Sequence, residues 1–292
     1  MSAAPQAPRA AGGYHLGSVD TVISVDEVAR QAEALRDEIP EERLRSLARN
    51  SPYLSVRGLK AGYGNMQILH DFTLHVARGQ SLCLIGPNGA GKSTVLHSIF
   101  GFTRIMGGSV VVGLEGGDRD ITRLSPNEKL HQAGIAYILQ DKSVFPDMSV
   151  EENLWMGGYL LAKPALAKAR AEKVFAKYPR LAARRRHAAR VLSGGERRLL
   201  EISRALIMEP EVLLVDEPSI GLEPRFIDMV FEILADLQKS EGKTIVMVEQ
   251  NAKRGLEFAD LGYVLVAGQT ALAAPAAELL KNPEVERLFL GG

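Results

Sequence analysis

The feature that most constrains the fold of this chain is a glycine-rich run, GPNGAGKST, at residues 86–94. It follows the apolar stretch Ser81–Ile85 and opens a helical stretch, so the pattern G-x-x-x-x-G-K-[ST] stands in its required strand–loop–helix context. Glycines let the backbone turn so that several N–H groups face phosphate oxygens, and the following helix adds its positive N-terminal end. The run therefore predicts an α/β protein with a nucleotide-binding P-loop. Its expected ATP-binding residues are Gly86, Pro87, Asn88, Gly89, Ala90, Gly91, Lys92, Ser93 and Thr94.

Two side chains of this loop and two acids downstream predict the chemistry of the site. Lys92 can neutralise the β and γ phosphates, and the Ser93 hydroxyl is a suitable ligand for Mg²⁺, which prefers oxygen. The apolar run 212–215 ends in Asp216, which suits the Mg²⁺ shell, and Glu217, which can orient or deprotonate the attacking water. Adjacent acids after a strand are, taken alone, often a solvated strand end. Combined with the P-loop, they predict ATP hydrolysis.

The order of apolar runs predicts the architecture. Strand-like runs alternate with helical stretches after the P-loop, which is the pattern of an α/β sheet. Residues 150–189 read as almost wholly helical and predict a smaller lobe at about 141–192. The strand candidates are 53–59, 68–76, 80–85, 135–139, 212–215, 244–248 and 262–266.

The N-terminal region differs from the rest of the chain. Residues 1–18 are rich in Ala, Pro and Gly and predict a disordered tail. Residues 25–39 have helical periodicity, Pro40 should break that helix, and the acids after it favour the start of a second one. We expect an extension over 1–50, partly disordered or helical, and an ATPase domain over 51–292. The extension is either a docking helix for a partner or a helix that is packed on its own domain or loosely attached to it.

Composition narrows the classes of function. Lys and Arg (35) balance Asp and Glu (35), which gives no electrostatic reason to expect nucleic acid as a partner. The single cysteine, Cys83, excludes an internal disulfide and lies in an apolar run, so we expect a buried thiol. The first residues lack an apolar leader core, and no segment offers the ~18 uncharged apolar residues of a membrane span. The sequence therefore predicts a soluble, cytoplasmic protein.

A third motif, LSGGE at 192–196, precedes a helical stretch. Ser193 and the N–H groups of Gly194 and Gly195 at a helix start make a second anion site, although such a run alone would be an ordinary N-cap. The order of the motifs favours the anion site over an ordinary N-cap. The P-loop comes first, followed by Gln140, LSGGE and VLLVDEP at 212–218. From about Tyr53 to the end, this order resembles the ATPases of ABC transporters.

The resemblance implies a fold and an assembly. It implies a P-loop ABC ATPase core with an antiparallel β subdomain and a helical lobe. It also implies that two ATPase subunits, identical or not, face each other head to tail, with each ATP between one P-loop and the opposite signature, Ser193, Gly194, Gly195 and Glu196. Tyr63 then stacks on adenine, and Gln140 senses Mg²⁺ and the γ phosphate. The loop SIGLE resembles the one that contacts the opposite subunit, except that its last residue, Glu223, is usually Asp.

Residue 250 departs more clearly from the family pattern. ABC ATPases usually carry a histidine after the strand that follows the catalytic glutamate, and here Gln250 stands at that position. All six histidines precede the signature, so none replaces it from nearby sequence. Glutamine can hydrogen-bond a phosphate oxygen but cannot carry the charge of an imidazolium. The predicted catalytic set is Glu217, Gln250 and Lys92.

Several segments further resemble the ATPases of branched-chain amino acid uptake systems and their amide or urea relatives. These segments are GYGNMQILHDFTLHV, GIAYILQDKSVFPDMSVEENL, EPSIGLEP and VEQN. The resemblance implies separate transmembrane permease subunits, which would dock beside Gln140 on Phe145, Met148 and Trp155, and indirectly a substrate-binding protein. It places the chain peripherally on the inner face of the membrane. The alternatives are an exporter ATPase, a soluble ABC ATPase acting on DNA or ribosomes, and a regulatory subunit with little turnover.

Overall fold

The computed structural model describes residues 39–140 and 143–290, which form two β-sheets, a helical lobe and covering helices. The first sheet is antiparallel, with strand order β2-β1-β4-β5. Strand β1 lies between β2 and β4 and pairs with both. Bulges interrupt the register of both pairings. The strands are β1 Pro52–Tyr63, β2 Met66–Ala77, β4 Arg104–Leu114 and β5 Gly117–Asp120.

The second sheet has six strands in the order β10-β9-β3-β8-β7-β6. Five of them are parallel, and β10 pairs antiparallel with β9 at one edge. The four inner strands, β9, β3, β8 and β7, are buried at every residue, as expected for continuous apolar runs covered on both faces. The strands are β3 Ser81–Ile85, β6 Ile135–Ile138, β7 Val212–Asp216, β8 Thr244–Val248, β9 Leu261–Val266 and β10 Gln269–Pro275.

Helices connect the parallel strands and cover this sheet. Their numbering in chain order starts with α1, Glu41–Leu47, before the first strand. Helices α4 to α6, with a short 3₁₀ turn at Ala189–Val191, form the lobe. The others are α2 Lys92–Phe100, α3 Pro126–Ala133, α4 Val150–Gly157, α5 Pro164–Lys177, α6 Pro179–Ala183, α7 Gly194–Leu206, α8 Pro224–Lys239, α9 Ala252–Phe258, α10 Ala276–Leu279 and α11 Pro283–Val285, and a π-helical turn follows at Glu286–Leu290.

The helical lobe has an apolar core of its own, which includes Leu154, Phe175 and Leu181. Helix α4 begins at a capping box, in which the Ser149 side chain accepts a hydrogen bond from the Glu152 backbone N–H and the Glu152 carboxylate accepts one from the Ser149 backbone N–H. The signature helix α7 contributes to the same core, so the lobe and α7 pack as one body.

Helix α1 packs on the edge of the domain that lies beside β2. Leu44 and Ala48 are buried, and the Leu47 carbonyl accepts a hydrogen bond from the Gln80 side chain at 3.1 Å. Glu41 Oε1 lies 3.6 Å from Nε2 of the buried His75. The helix predicted to begin after Pro40 is confirmed, and it packs on its own domain. The helix predicted at 25–39 lies almost entirely outside the described residues, and the boundary at residue 50 stays a prediction.

The predicted fold class is confirmed, with an α/β core, an antiparallel sheet and a helical lobe. Cys83 is buried, as predicted. Strands β4, β5 and β10 were not predicted, because β4 contains a glycine pair, β5 is polar and β10 is rich in Ala, which has low strand propensity. No described helix combines the length and apolarity needed to cross a bilayer.

Candidate nucleotide site

The predicted catalytic residues gather at one edge of the second sheet. Strand β8 lies between β3 and β7, and all three run in the same direction, so their carboxyl ends meet. The P-loop follows β3, Asp216 ends β7, and Gln250 comes two residues after β8. Strand β6 neighbours β7 and leads to Gln140. Open α/β sheets bind ligands at this edge.

The backbone of the P-loop requires glycine at both of its ends. Gly86 has φ of 146°, and a Cβ there would overlap the carbonyl oxygen of Leu265. Gly91 has φ of 98° and is the N-cap of α2. Both conformations disfavour residues with a Cβ. The loop is therefore curled, and the N-terminus of α2 points at the space that it encloses.

Lys92 is held inside its own loop. Its Nζ donates hydrogen bonds to the carbonyl oxygens of Gly86 at 2.8 Å and Pro87 at 3.0 Å. Burial lowers the pKa of the ammonium from its usual range, and the nearby carboxylates of Glu217 and Asp216 act against that shift. The cation is thus already placed at the mouth of the phosphate loop.

Asp216, at the end of β7, accepts one hydrogen bond from the P-loop side and one from β6. Ser93 Oγ donates to Asp216 Oδ1 at 3.0 Å, and the Tyr137 hydroxyl donates to Oδ2 at 2.7 Å. Hydroxyl and carboxylate oxygens are the ligands that Mg²⁺ prefers, so these two groups fit that ion with phosphate oxygens and water completing its shell. Among the described residues, no group of three or more His, Cys, Asp or Glu could hold a metal by itself. Tyr137 was not predicted as a site residue, since a tyrosine within a strand carries no motif.

Glu217 has a left-handed backbone with φ of 42°, which is uncommon for a residue with a side chain. Its N–H donates to the Val248 carbonyl at 2.9 Å, and its Oε2 accepts a hydrogen bond from Gln140 Nε2 at 3.0 Å. Burial, and then the charge of Asp216, raise the pKa of Glu217 above its usual range, while Lys92 lowers it. A general base is most effective when its pKa lies near the operating pH, so a raised pKa makes this carboxylate a better base.

The loop after β8 is anchored by a buried acid beside Gln250. Glu249 is 2% exposed, and its Oε1 accepts hydrogen bonds from Ser219 Oγ at 2.7 Å and the Asn251 N–H at 3.0 Å. Its Oε2 is buried without a hydrogen-bond partner. The Gln250 side chain is exposed. Glu249 therefore ties the SIGLE loop to the loop that carries Gln250, a role that the sequence did not suggest.

The predicted adenine residue lies at the end of β1. Tyr63 is 42% exposed, and its hydroxyl forms a hydrogen bond with His97 Nδ1 of the P-loop helix. The His97 ring packs 5.6 Å from that of Tyr137 and 5.7 Å from that of Phe102. These aromatic contacts connect Tyr63 to the residue that binds Asp216.

The signature motif forms the start of α7. Ser193 is the N-cap, its Oγ accepts from the Glu196 N–H at 3.3 Å, and Glu196 Oε2 accepts from the Ser193 N–H at 2.9 Å. Ser193 and Gly194 are exposed. Gly195 is buried against the Phe226 ring, which a Cβ would overlap. The helix start is thus open to a ligand from outside, in the way an anion site requires.

The fold and this site define an ATP-binding cassette, and the comparisons with known proteins agree. Residues 69–220 match the family model described as ABC transporter. The chain belongs to this family and is an ATP-binding subunit that hydrolyses ATP.

Two relatives narrow the resemblance. The chain is 40% identical to the high-affinity branched-chain amino acid transport ATP-binding protein BraG of Pseudomonas aeruginosa. The match extends over 245 residues and covers 82% of this chain and 100% of that protein. It is 39% identical to the probable branched-chain amino acid transport ATP-binding protein LivF of Archaeoglobus fulgidus, over 80% of this chain and 96% of that one.

Solved structures give the same family. A nucleotide-free ATP-binding cassette from an ABC transporter superposes with a TM-score of 0.71 at 26% identity, covering 82% of this chain and 100% of that chain. The ADP conformation of another cassette superposes with a TM-score of 0.71 at 27% identity, covering 82% and 99%. The predicted membership of the ABC family is therefore confirmed.

Proposed function

We propose that this chain powers the uptake of branched-chain amino acids, or of related amides or urea, through a separate permease on the inner face of the membrane. The hydrogen bond between Ser93 and Asp216 carries the ATPase part of this proposal, because it joins the P-loop to the catalytic strand. The names of the BraG and LivF relatives support the substrate class. The substrate itself is bound by other subunits, so it is inferred by analogy.

The residues of the site divide the work of hydrolysis. The P-loop N–H groups and Lys92 bind the β and γ phosphates. Ser93 and Asp216 would hold Mg²⁺, directly or through water, and the bound ion would supply positive charge beside the phosphates. Glu217 orients the attacking water and accepts its proton. The Gln140 amide binds Glu217 in this structure. It exchanges that partner for the nucleotide when ATP binds.

The remaining two predicted groups act on the terminal phosphate and on the second nucleotide. Gln250 holds the γ phosphate, or positions Glu217 and the water, through neutral hydrogen bonds. Ser193, Gly194, Gly195 and Glu196 face the ATP bound by a second ATPase subunit, and a closed two-fold dimer satisfies both sites at once. The exposure of Ser193 and Gly194 supports this, since a helix start that binds a ligand from another subunit must be open.

The permease docks on the lobe beside Gln140. Phe145 is 43% exposed, whereas Met148 and Trp155 are partly buried. The guanidinium of the partly buried Arg204 lies over the Phe145 ring at 5.2 Å, within the range of a cation–π contact. Trp155 packs against the lobe core, so Phe145 is the strongest apolar anchor of the three.

Uptake by cells tests the proposal. The gene for this chain is deleted in a host that carries its permease, and uptake of labelled leucine, urea and glucose is measured. We expect loss of leucine or urea uptake, rescue by the wild-type chain, and no rescue by Lys92→Ala. Normal leucine and urea uptake in the deletion strain would contradict the proposed substrate class. Purified chain that fails to hydrolyse ATP would contradict the ATPase assignment.

A further inference from the structure

A buried arginine links the signature helix to the loop that carries Gln140. Arg198 lies in the second turn of α7, and its side chain is 4% exposed. Its Nη1 donates to the Leu139 carbonyl at 2.6 Å and makes a longer contact with the Gln140 carbonyl at 3.4 Å. The same nitrogen lies 2.9 Å from Oε2 of Glu201, which is equally buried.

A buried ion pair of this kind is a weak source of stability. Replacing a buried ion pair by apolar side chains is often neutral or stabilising, because the charges lose their hydration. The Nε and Nη2 atoms of Arg198 are also buried without hydrogen-bond partners, which adds a further cost. The contacts that distinguish this arginine are therefore those to the two backbone carbonyls.

The position of those carbonyls gives the arginine a role in the reaction. The Gln140 side chain binds Glu217, so the backbone that Arg198 holds carries a residue of the catalytic site. Five residues before Arg198, Ser193 is the N-cap of the same helix. A cleft of about 600 Å³ lies between these elements, lined by residues that include Gln140, Gly194, Arg198 and Ile220. The cleft gives the guanidinium space to move, and its two unpartnered nitrogens can form new hydrogen bonds in a second arrangement.

We propose that Arg198, held by Glu201, is a positioning residue that couples Gln140 to the signature helix. When Gln140 leaves Glu217 for the nucleotide, the carbonyls at 139 and 140 move, and Arg198 transmits that movement to Ser193 and Gly194. Binding of one ATP beside Gln140 thereby aligns Ser193 and Gly194 for the ATP that is bound by the second subunit. This inference rests on the proposed head-to-tail dimer.

The test removes the coupling without leaving a buried charge. In Arg198→Met/Glu201→Leu, apolar side chains replace both partners, so the melting temperature should stay close to that of the wild type. Affinity for a fluorescent ATP analogue should stay within about twofold, because the P-loop is untouched. Turnover should fall by about tenfold or more, the effect of one charged hydrogen bond. Arg198→Lys should recover part of that loss, since an ammonium can still reach a carbonyl and Glu201.

Arg170→Met is the matched control. Arg170 also donates to a backbone carbonyl, that of Ile207 at 2.9 Å, and pairs with a glutamate, Glu209 at 2.7 Å, but it lies on the lobe helix α5. We expect turnover close to that of the wild type. ATP-dependent dimerisation is measured in a Glu217→Gln background by size-exclusion chromatography, where the double variant should stay monomeric and the control should dimerise.

The outcomes separate this inference from the proposed function. If the double variant turns over and dimerises like the wild type, or if Arg170→Met loses as much, the role of Arg198 is refuted while the ATPase assignment stands. If Glu217→Gln alone never dimerises with ATP, the proposed dimer is refuted, and the inference falls with it.

Discussion

Replacing Gln250 tests whether a neutral amide at this position assists hydrolysis only modestly. We expect Gln250→Ala to keep ATP binding and to lower turnover by about two- to tenfold. We also expect Gln250→His to retain activity, because imidazole can donate to the same phosphate oxygen. Glu217→Gln, by contrast, should abolish turnover, because it removes the base.

The magnitude follows from the surroundings of residue 250. Its side chain is exposed, so water competes for the hydrogen bond that it makes, and a neutral hydrogen bond contributes about 0.5–1.5 kcal/mol net. That range corresponds to about two- to tenfold in rate. The substitution should add no structural cost, since the backbone of the loop is held by Glu249 through Ser219 and Asn251.

The assay is steady-state turnover of the wild type and the Gln250 variants across about pH 6 to 9, which brackets the imidazole pKa. The amide does not titrate, so only Gln250→His should show an additional proton-linked change in rate. Nucleotide affinity is measured in parallel with a fluorescent ATP analogue. Complete loss of hydrolysis in Gln250→Ala with intact ATP binding would refute the reasoning and make the glutamine essential for the chemistry.

Three further substitutions test the site and the fold. Lys92→Ala should abolish tight ATP binding, because it removes the cation that offsets the phosphate charge; unchanged affinity for a fluorescent ATP analogue would contradict this. Burial lowers the pKa of His75 to about 4, although Glu41 acts against that shift. The unfolded chain therefore takes up a proton that the folded chain does not, and stability should fall as pH drops below about 6.5, by about 2 kcal/mol between pH 7.5 and 5.0. Urea denaturation should show this slope in the wild type and lose it in His75→Asn, and equal slopes would count against it. Leu44→Ala should cost about 2–5 kcal/mol of unfolding free energy, because Leu44 is 3% exposed in the core, whereas the exposed neighbour Arg43→Ala should cost little. Thermal melting compares the two, and equal melting temperatures would show that α1 is not part of the folding unit.

Contiguous motifs made much of this site predictable. The P-loop residues act through their own backbone, so their spacing in the sequence fixes both the curl and the position of Lys92. Asp216 and Glu217 follow a strand that the sequence shows as a continuous apolar run. The order of the motifs then identified the family. The same holds for the parallel strands, which are continuous apolar runs because they are buried on both faces.

The parts that were not predicted depend on contacts between distant residues. Tyr137 reaches Asp216 across 79 residues of sequence, and Arg198 reaches Leu139 across 59. Glu249 looks like a solvated strand end, but the fold buries it and gives it Ser219 as a partner. Strand β10 is rich in alanine and becomes a strand because β9 offers it an edge to pair with.

The hydrogen bonds of Lys92 to its own loop make nucleotide binding an exchange of partners. The ammonium is already partly buried and held by the carbonyls of Gly86 and Pro87. Part of its dehydration therefore belongs to the free energy of folding, and the contribution of Lys92 to nucleotide affinity reflects how much better a phosphate is than a carbonyl as its partner. When products leave, the same two carbonyls can take the cation back. The loop then keeps its curvature between turnovers, ready for the next ATP.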